Sequence, residues 1–507
     1  MSPHDLTVYD LLVRNARIHG DRLALVTERG EELTFAELRT RVDALASGLH
    51  GLGLVAGNRV AVLALNSGRF FELYLACARQ GLVVYPINWR LTAEEVGRIV
   101  ARARPQALVV DAASAGGLPA GDAAGSVEHW IEIDGDGAAT REGFLPCSAL
   151  AAGAGATAPR AAVGSSDPFC VLATAAVDVV PRGALLSHRN LVASNLQEIA
   201  ALQLGPSHRS LCALPLFHIA GLAHALAHFH AGGANVVLPR FDAERSVELI
   251  DRWQVTHIAD FPPVLAHTLD AAERAGSTLS SLRHVTGLDS PETMERLHRT
   301  TGATFWTGFG QAETTGMVTL QNARERTGCA GTPGELAIVD LVDDYDRPVA
   351  VGQPGEIVVR GPLVFLGYDG LPEATAHAFR NGWHHTGDVG RCDQAGRLYF
   401  VKRKAEKELI KPGGENVYPA EVEAAIVELA GVRHACVFGV PDPTWGEAIR
   451  AVVEVEAGAA VTPEGVIEHV GARIARYKRP KRVEVVDRLP RTEDGEIDRE
   501  AVKATWG

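Results

Sequence analysis

Short apolar stretches alternate with amphipathic ones near the start of this chain, and this alternation limits the possible folds more than any other feature. The predicted order is strand Asn58–Leu65, helix Phe70–Arg79, strand Val83–Ile87, helix Glu94–Ala103 and strand Ala107–Val110. Strands that alternate with helices pair in parallel, because each connecting helix crosses over the sheet. The pattern therefore predicts an α/β layer architecture.

The alternation resumes after residue 167 and later changes character. Helices are predicted at Leu191–Leu202, Gly221–Ala231 and Asp242–Trp253. Beyond Gly328, short strands separated by glycine and proline turns indicate a β-rich subdomain. From Lys402 the chain becomes highly charged before a smaller unit, and such a junction is either a hinge between domains or a solvated loop. We predict a large N-terminal domain, 1–401, and a small C-terminal α+β domain, 402–507, which the family resemblance described below implies to be mobile.

Composition excludes several classes of protein. The 507 residues exceed what one hydrophobic core normally serves, and the net charge of -13 argues against a nucleic-acid partner. The seven cysteines are dispersed without a Cys-x-x-Cys pair, so neither a zinc site nor a disulfide framework is indicated. No signal peptide or membrane span is recognisable, and a cytoplasmic location is expected.

The stretch Asp167–Asn190 predicts a strand, a loop and a helix that opens at Ser187. A loop in this position can hold a phosphate when glycines bring backbone amides close and hydroxyls donate to the oxygens. This loop reads Ala175-Ala176-Val177-Asp178-Val179-Val180 and contains neither glycine nor hydroxyl. Its only polar side chain is a carboxylate, which would repel a polyphosphate.

The frame of this loop resembles the signature of the acyl-adenylate-forming superfamily, which includes acyl-CoA synthetases, peptide-synthetase adenylation domains and luciferases. The family loop runs roughly Tyr-Thr-Ser-Gly-Thr-Thr-Gly-x-Pro-Lys-Gly and grips the β- and γ-phosphates of ATP in relatives. Laid on this chain without a gap, it matches at Thr174, Pro181 and Gly183, and Arg182 replaces its lysine.

Two central motifs extend the resemblance. In LPLFHIAG, His218 is the family histidine expected near the acyl carbonyl, where it is assigned a catalytic role. In FWTGFGQAETTG, the resemblance implies that Phe309 stacks on adenine and that Glu313 holds Mg²⁺ in relatives that bind ATP. The motif threonine that meets the α-phosphate falls on Ala312, and Thr314 is a nearby candidate to replace it.

Two later motifs are intact. In GWHHTGD, Asp388 resembles the aspartate that accepts both ribose hydroxyls, and Arg403 matches the arginine that reaches the same ribose. In GGENVYP, the resemblance assigns Gly413, Gly414 and Glu415 to the loop that lines the CoA tunnel after the C-terminal domain rotates. Glycines permit a close backbone approach to a narrow ligand.

The last motif, LPRTEDGEIDR, matches the family except that Glu496 replaces the lysine that bridges carboxylate and α-phosphate during adenylation. Removing one preorganised donor of this kind costs roughly 10²–10³ in rate, and reversing its charge should cost more. The altered adenylation positions are Ala175, Ala176, Val177, Asp178, Arg182, Ala312 and Glu496.

Ordinary relatives form acyl-AMP from an acid and ATP, and then exchange AMP for CoA. Because the losses fall on the first step, we predict a non-adenylating ligase that converts acyl-AMP and coenzyme A to acyl-CoA and AMP. Such an enzyme needs a separate adenylating partner. The rare family members of this kind act in antibiotic biosynthesis, and that resemblance implies a bulky, diterpenoid acid.

Two alternatives stay open. One is a complete ATP-dependent acyl-CoA synthetase in which Arg182 and a lysine from elsewhere replace the lost residues. The other is a catalytically silent adenylate-binding or carrier protein, against which the intact glycine loop argues. No metal site is predicted beyond an undecided Mg²⁺ requirement, and the oligomeric state, including a homodimer, is also undecided.

Overall fold

The structure is a computed structural model that describes residues 2–119, 125–134, 141–152, 158–174, 182–404, 409–456, 458–492 and 495–507. The strands of these ranges are β1 Leu23–Val26, β2 Glu32–Thr34, β3 Arg59–Leu63, β4 Val83–Ile87, β5 Ala107–Asp111, β6 His129–Ile133, β7 Leu145–Pro146, β8 Pro168–Ala173, β9 Gly183–Ser187, β10 Arg209–Cys212, β11 Ala234–Val237, β12 His257–Asp260, β13 His284–Gly287, β14 Thr304–Gln311, β15 Gly316–Asn322, β16 Thr332–Pro333, β17 Ile338–Val342, β18 Gly355–Arg360, β19 Gly367–Tyr368, β20 His384–Cys392, β21 Leu398–Arg403, β22 Val432–Asp442, β23 Gly446–Val455 and β24 Arg482–Val486. The helices are α1 Val8–Ile18, α2 Phe35–Gly51, α3 Gly68–Gln80, α4 Ala93–Ala103, α5 Cys147–Ala152, α6 His188–Leu202, α7 Ile219–His230, α8 Ala243–Trp253, α9 Val264–Ala275, α10 Pro291–Thr301, α11 Pro372–Ala378, α12 Pro419–Val427, α13 Pro463–Arg473 and α14 Arg499–Trp506.

Two large mixed sheets dominate the N-terminal region. One has the order β19-β9-β8-β4-β3-β5-β6-β7 and the other β16-β15-β14-β13-β12-β10-β11-β1-β2. Their central strands pair in parallel, as the alternation of strands and helices predicts. The prediction of an α/β fold with a large N-terminal and a small C-terminal domain is confirmed.

Helices between the two sheets bury the largest apolar core. Phe35 of α2 and Phe71 of α3 both contact Phe229 of α7, with ring centroids 5.5 Å apart in each pair. Fully burying an aromatic side chain of this size is worth roughly 1.5–3 kcal/mol. This packing fixes α7, whose N-terminal end follows His218, against the sheet edge that forms the site.

Polar caps start the helices that matter for the site. Ser187 accepts a hydrogen bond from the backbone N of Asn190, and the Asn190 side chain accepts one from the Ser187 backbone, which begins α6. Thr92 and Glu95 form the same reciprocal arrangement at the start of α4. Each such cap stabilises a helix by about 1 kcal/mol.

The loop after β8 differs from the strand-to-helix connection that the sequence predicts. Gly183 is the first residue of β9, which pairs antiparallel with β8 before α6 begins. Residues 175–181, which include Ala175, Ala176, Val177 and Asp178, lie outside the described residues.

The predicted β-rich subdomain is present as a four-stranded sheet of order β17-β18-β20-β21. The C-terminal unit packs α12 and α13 on the sheet β22-β23-β24 around a core of its own. Strand β21 continues to Arg403 and therefore crosses the predicted boundary at 401/402, whose position stays a prediction. Among the described helices, each is too short or too polar to cross a bilayer.

Candidate active site

A cavity of about 920 Å³ opens where the C-terminal unit meets the N-terminal region. Its walls bring together most of the residues that the motifs single out, namely His218, Phe309, Ala312, Glu313, Asp388, Arg403, Gly413, Gly414 and Glu415. Motifs almost 200 residues apart in sequence therefore meet at one place. The described residues Thr314, Arg182 and Glu496 are not among those that line the cavity.

His218 and Glu415 face each other across the boundary between the two parts of the protein. His218 is the residue that precedes α7, and its Nε2 lies 3.7 Å from Glu415 Oε2. Arg90 Nη1 donates to Glu415 Oε1 at 2.6 Å, and Asn88 Nδ2 donates to Oε2 at 3.0 Å. Burial raises the pKa of Glu415, but His218, Arg90 and Asn88 outweigh it and hold that pKa below its ordinary value. The loop therefore presents an ionised carboxylate to the histidine.

Asp388 and Arg403 are paired by the register of two neighbouring strands. Asp388 of β20 lies opposite Arg403 of β21, and Arg403 Nε is 3.6 Å from Asp388 Oδ1. Gln311, at the end of β14, donates from Nε2 to Asp388 Oδ2 at 2.5 Å. Phe309 lies two residues earlier on the same strand and also lines the cavity. The carboxylate is thus held in place on a cavity wall that also contains an aromatic ring.

Glu313 occupies the neighbouring wall. The hydroxyl of Tyr368 donates to Glu313 Oε1 at 3.0 Å, and the Arg182 guanidinium lies 5.3 Å from the centre of the Tyr368 ring. Burial raises the pKa of Tyr368 far above its usual range, and the carboxylate of Glu313 adds to this effect, so Tyr368 is a donor at any physiological pH. A carboxylate oxygen is a ligand that Mg²⁺ prefers, so Glu313 fits the metal role that the resemblance assigns to it.

Thr314 is used locally. Its hydroxyl donates to the carbonyl oxygen of Gly316 at 2.8 Å and accepts from the backbone N of Gln311 at 2.8 Å. The side chain is fully buried in this short turn. Its role as a replacement for the hydroxyl missing at Ala312 stays a prediction, and this geometry does not favour it.

Lys411 lines the same cavity and was missed by sequence reasoning. It lies two residues before Gly413, and its backbone N donates to Glu447 Oε2 at 2.5 Å. Burial and the nearby Arg403 lower the pKa of the ammonium, while Asp388 and Glu447 act in the opposite direction. A lysine that follows Leu409 and Ile410 and stands directly before a matched glycine loop is the signal that could have found it.

A buried ion triad joins the C-terminal unit to the N-terminal region. Lys478 Nζ lies 2.6 Å from both Glu95 Oε1 of α4 and Glu421 Oε1 of α12. The Tyr418 hydroxyl adds a second link by donating to the carbonyl oxygen of Thr174 at 2.7 Å. Because buried charges are costly unless they are paired, these contacts favour one orientation of the C-terminal unit.

Glu496 lies on a different face of the C-terminal unit. It is exposed, in a turn where its carbonyl oxygen accepts a hydrogen bond from the backbone N of Thr492 at 2.8 Å. The same unit therefore directs Gly413–Glu415 into the cavity and leaves Glu496 outside it.

Comparison with known proteins decides the family. Residues 12–369 match the AMP-binding enzyme family, and residues 421–496 match the C-terminal domain of AMP-binding enzymes. The chain belongs to the AMP-binding enzyme family.

Similar proteins match this AMP-binding enzyme over nearly its whole length. It is 34% identical to a feruloyl-CoA synthase from Amycolatopsis sp, covering 98% of each chain. It is 33% identical to an indoleacetate-CoA ligase from Aromatoleum aromaticum, covering 93% of each. Among solved structures, an o-succinylbenzoate-CoA synthetase from Bacillus subtilis bound to a product analogue has a TM-score of 0.85 at 25% identity, covering 99% of each chain. This AMP-binding enzyme therefore belongs among the acyl- and aryl-CoA ligases of its family.

Proposed function

We propose that this protein catalyses the thioester-forming half-reaction, in which acyl-AMP and coenzyme A give acyl-CoA and AMP. The observation that carries the proposal is the orientation of the C-terminal unit. Its loop Gly413–Glu415 forms part of the cavity wall beside His218 and Asp388, while Glu496 is exposed outside the cavity. The groups that would meet AMP and CoA converge, and the residue at the adenylation position does not join them.

The reaction requires little from the protein beyond positioning of the acyl-adenylate and the thiol. The thiol sulfur attacks the acyl carbon, the bond from that carbon to the phosphate oxygen breaks, and AMP leaves with the electron pair. The acyl group is already activated, so holding the thiol against it supplies much of the acceleration. His218, whose ring lies beside the ionised Glu415, is suited to receive the thiol proton. Asp388 and Arg403 would hold the ribose, and Phe309 the adenine.

Weak adenylation is supported by residue chemistry at three described positions. Arg182 replaces the loop lysine, Ala312 offers no hydroxyl to an α-phosphate, and Glu496 carries the wrong charge for the bridging role. Each change by itself would cost roughly 10²–10³ in rate if it removed one preorganised donor. Under this proposal a separate enzyme supplies the acyl-adenylate.

A complete ATP-dependent ligase is the second candidate, and Lys411 specifically favours it. This lysine lines the cavity near Asp388 and Arg403, and so could stand in for the lysine lost at Glu496. The similar proteins are named as a feruloyl-CoA synthase and an indoleacetate-CoA ligase, which supports the same candidate. In that case no adenylating partner is needed.

A paired assay on the purified full-length protein separates these candidates. One arm contains free acids with ATP, Mg²⁺ and CoA; the other contains the matching synthetic acyl-adenylates with CoA alone. The acids should include ferulic, indoleacetic, long-chain and diterpenoid acids, because the resemblance to non-adenylating members implies a bulky diterpenoid and the similar proteins are named for aryl acids. Acyl-CoA in the second arm alone supports the proposal, comparable product in both arms supports the complete ligase, and no product in either would leave an adenylate-binding protein.

A further inference from the structure

A second polar group lies at the cavity and includes none of the residues assigned to AMP and CoA. It consists of Glu198 on α6, His224 on α7 and His257 on β12, which we call the histidine–glutamate cluster. One ligand atom from each side chain lies within 4.8 Å of the others. His224 Nδ1 and Glu198 Oε1 are 2.7 Å apart. Glu198 and His224 line the cavity, while His257 is completely buried behind them.

Neighbouring groups hold the His257 ring in place. Its Nε2 is 2.9 Å from Thr286 Oγ1, and its Nδ1 is 3.4 Å from Ser210 Oγ. The His228 ring stacks on it with centroids 4.7 Å apart. His228 Nδ1 donates to the carbonyl oxygen of His224 at 2.9 Å, which leaves its buried Nε2 with no hydrogen-bond partner among the described residues. The His257 ring is thus held in place, and the adjacent His228 Nε2 is a buried polar atom without a hydrogen-bond partner among the described residues, which is uncommon in folded proteins.

We propose that Glu198, His224 and His257 bind a divalent transition-metal ion, with Zn²⁺ as the ion that best fits, and that its open coordination position faces the acyl cavity. Two imidazoles and one carboxylate form a common set of three protein ligands for zinc. Ligand atoms about 2.0–2.1 Å from zinc lie roughly 3.3 Å from one another. This separation falls between the 2.7 Å that joins His224 Nδ1 to Glu198 Oε1 and the 4.8 Å within which all three ligand atoms lie. The open position would take an oxygen donor at the far end of the acid, and this last part rests on the proposed function.

The first test measures metal binding by untagged, full-length protein that has been stripped with a chelator and dialysed. After Zn²⁺ is added and excess is removed by gel filtration, mass spectrometry of the metal content should give one ion per chain. Glu198→Gln and His224→Asn should each weaken Zn²⁺ binding by at least about tenfold, since they remove a ligand. His230→Gln is the matched control, because His230 is a buried histidine on the same helix and is not part of the cluster.

Circular dichroism and thermal melting establish that the variants are folded. No bound Zn²⁺ in the unmodified protein, or equal binding by the unmodified protein and folded Glu198→Gln, overturns the metal site. Because this readout needs neither acid nor CoA, it is independent of the proposed function.

The second test addresses the open position. In the Co²⁺-substituted protein, azide should change the visible absorption of the metal. A small anion can reach an exchangeable coordination position whatever the length of the acid that the cavity takes. An unchanged spectrum with Co²⁺ bound at full occupancy overturns the open position and leaves a closed, structural site.

Discussion

Two loops of the C-terminal unit have opposite relationships to the rest of the protein. The loop Gly413–Asn416 forms part of the cavity wall, and its Glu415 contacts Arg90 and His218. The turn that carries Glu496 is exposed and joins no described wall of the cavity. The first loop matches its family motif, and the second has a reversed charge at its central position. Under the proposed function, the loop that lines the cavity is also the loop that keeps its family motif.

The difference shows that one small domain can serve two reactions only if both of its faces keep their chemistry. Orientation depends on buried contacts such as the ion triad, which do not involve the reacting atoms. Adenylation depends on single charged groups, which a substitution can remove without disturbing the fold. A face can therefore lose its chemistry while the other continues to dock, and the following variants test that asymmetry.

The largest effect is expected at the docked loop. Gly414 has φ of +83°, and an added Cβ would meet Phe261 at 3.1 Å. Gly414→Val should reduce acyl-CoA formation from acyl-adenylate and CoA by at least about 10³-fold, because a displaced thiol loses an effective molarity of roughly 10⁵–10⁸ M. The measurement is single-turnover thioester formation.

Gly458→Val is the matched control for backbone strain. Gly458 has φ of +82° in the same unit, and nothing lies within 4 Å of its added Cβ. It should cost stability without reducing turnover of the folded enzyme. Equal activity of folded Gly414→Val and the unmodified protein would contradict the role of this loop in CoA binding.

Lys411→Met should have the next largest effect, and it sharpens the comparison by showing which half-reaction uses this lysine of the cavity wall. Removing one preorganised donor near the phosphate should lower the rate by roughly 10². A loss in the adenylate-plus-CoA arm assigns Lys411 to thioester formation, and a loss only in the ATP arm assigns it to adenylation. Lys402→Met, which removes an exposed lysine nearby, should leave both rates unchanged.

The residues that sequence motifs predicted and the residues that they missed differ in how the sequence specifies their positions. His218, Phe309 and Asp388 were predicted to be site residues because each lies in a motif with recognisable neighbours, and the structure places all three on one cavity. Their binding roles stay predictions. His257 could not be found this way, since it lies 33 residues from His224 along the chain, and only the packing of α7 on β12 brings the two rings together.

The sequence predicted more of the fold than of the candidate site. The strand-helix alternation near the start of the chain and the β-rich subdomain were both confirmed, because hydrophobic periodicity reports burial directly. Strand β9 was missed because Pro181-Arg182-Gly183, whose glycine is the first residue of the strand, has a sequence typical of a turn. Antiparallel pairing with β8 is a tertiary contact that local propensity does not contain.

Glu95→Gln should have a moderate effect, since it weakens docking without touching the site. Glu95 and Glu421 share the single ammonium of Lys478 at 2.6 Å each. The pKa of Glu95 is lowered, because Lys478 and Thr92 outweigh burial, whereas burial raises that of Glu421. The lowered pKa keeps Glu95 ionised at neutral pH, and removing its charge should cost about 1.5–3 kcal/mol of docking and roughly tenfold in thioester formation.

Hydrogen exchange in segment 475–479 measures this docking directly, because the backbone N of Ala475 donates to Glu95. Exchange there should accelerate in Glu95→Gln and stay unchanged in Glu94→Gln, which removes the charge of the exposed neighbour. Slow exchange in both variants would show that the triad does not determine the orientation.

Glu496→Lys should have the smallest effect, and it tests the asymmetry most directly. Because Glu496 is exposed outside the cavity, thioester formation should change by no more than about twofold, as for a surface charge. The same variant restores only one of the altered adenylation positions, and Ala312 still lacks a hydroxyl. ATP-dependent product should therefore remain far below product from acyl-adenylate, measured by acid-dependent pyrophosphate release. A variant that gained full ATP-dependent activity from this single change would show that one charge, and not a wider loss of phosphate contacts, separates the two faces of the domain.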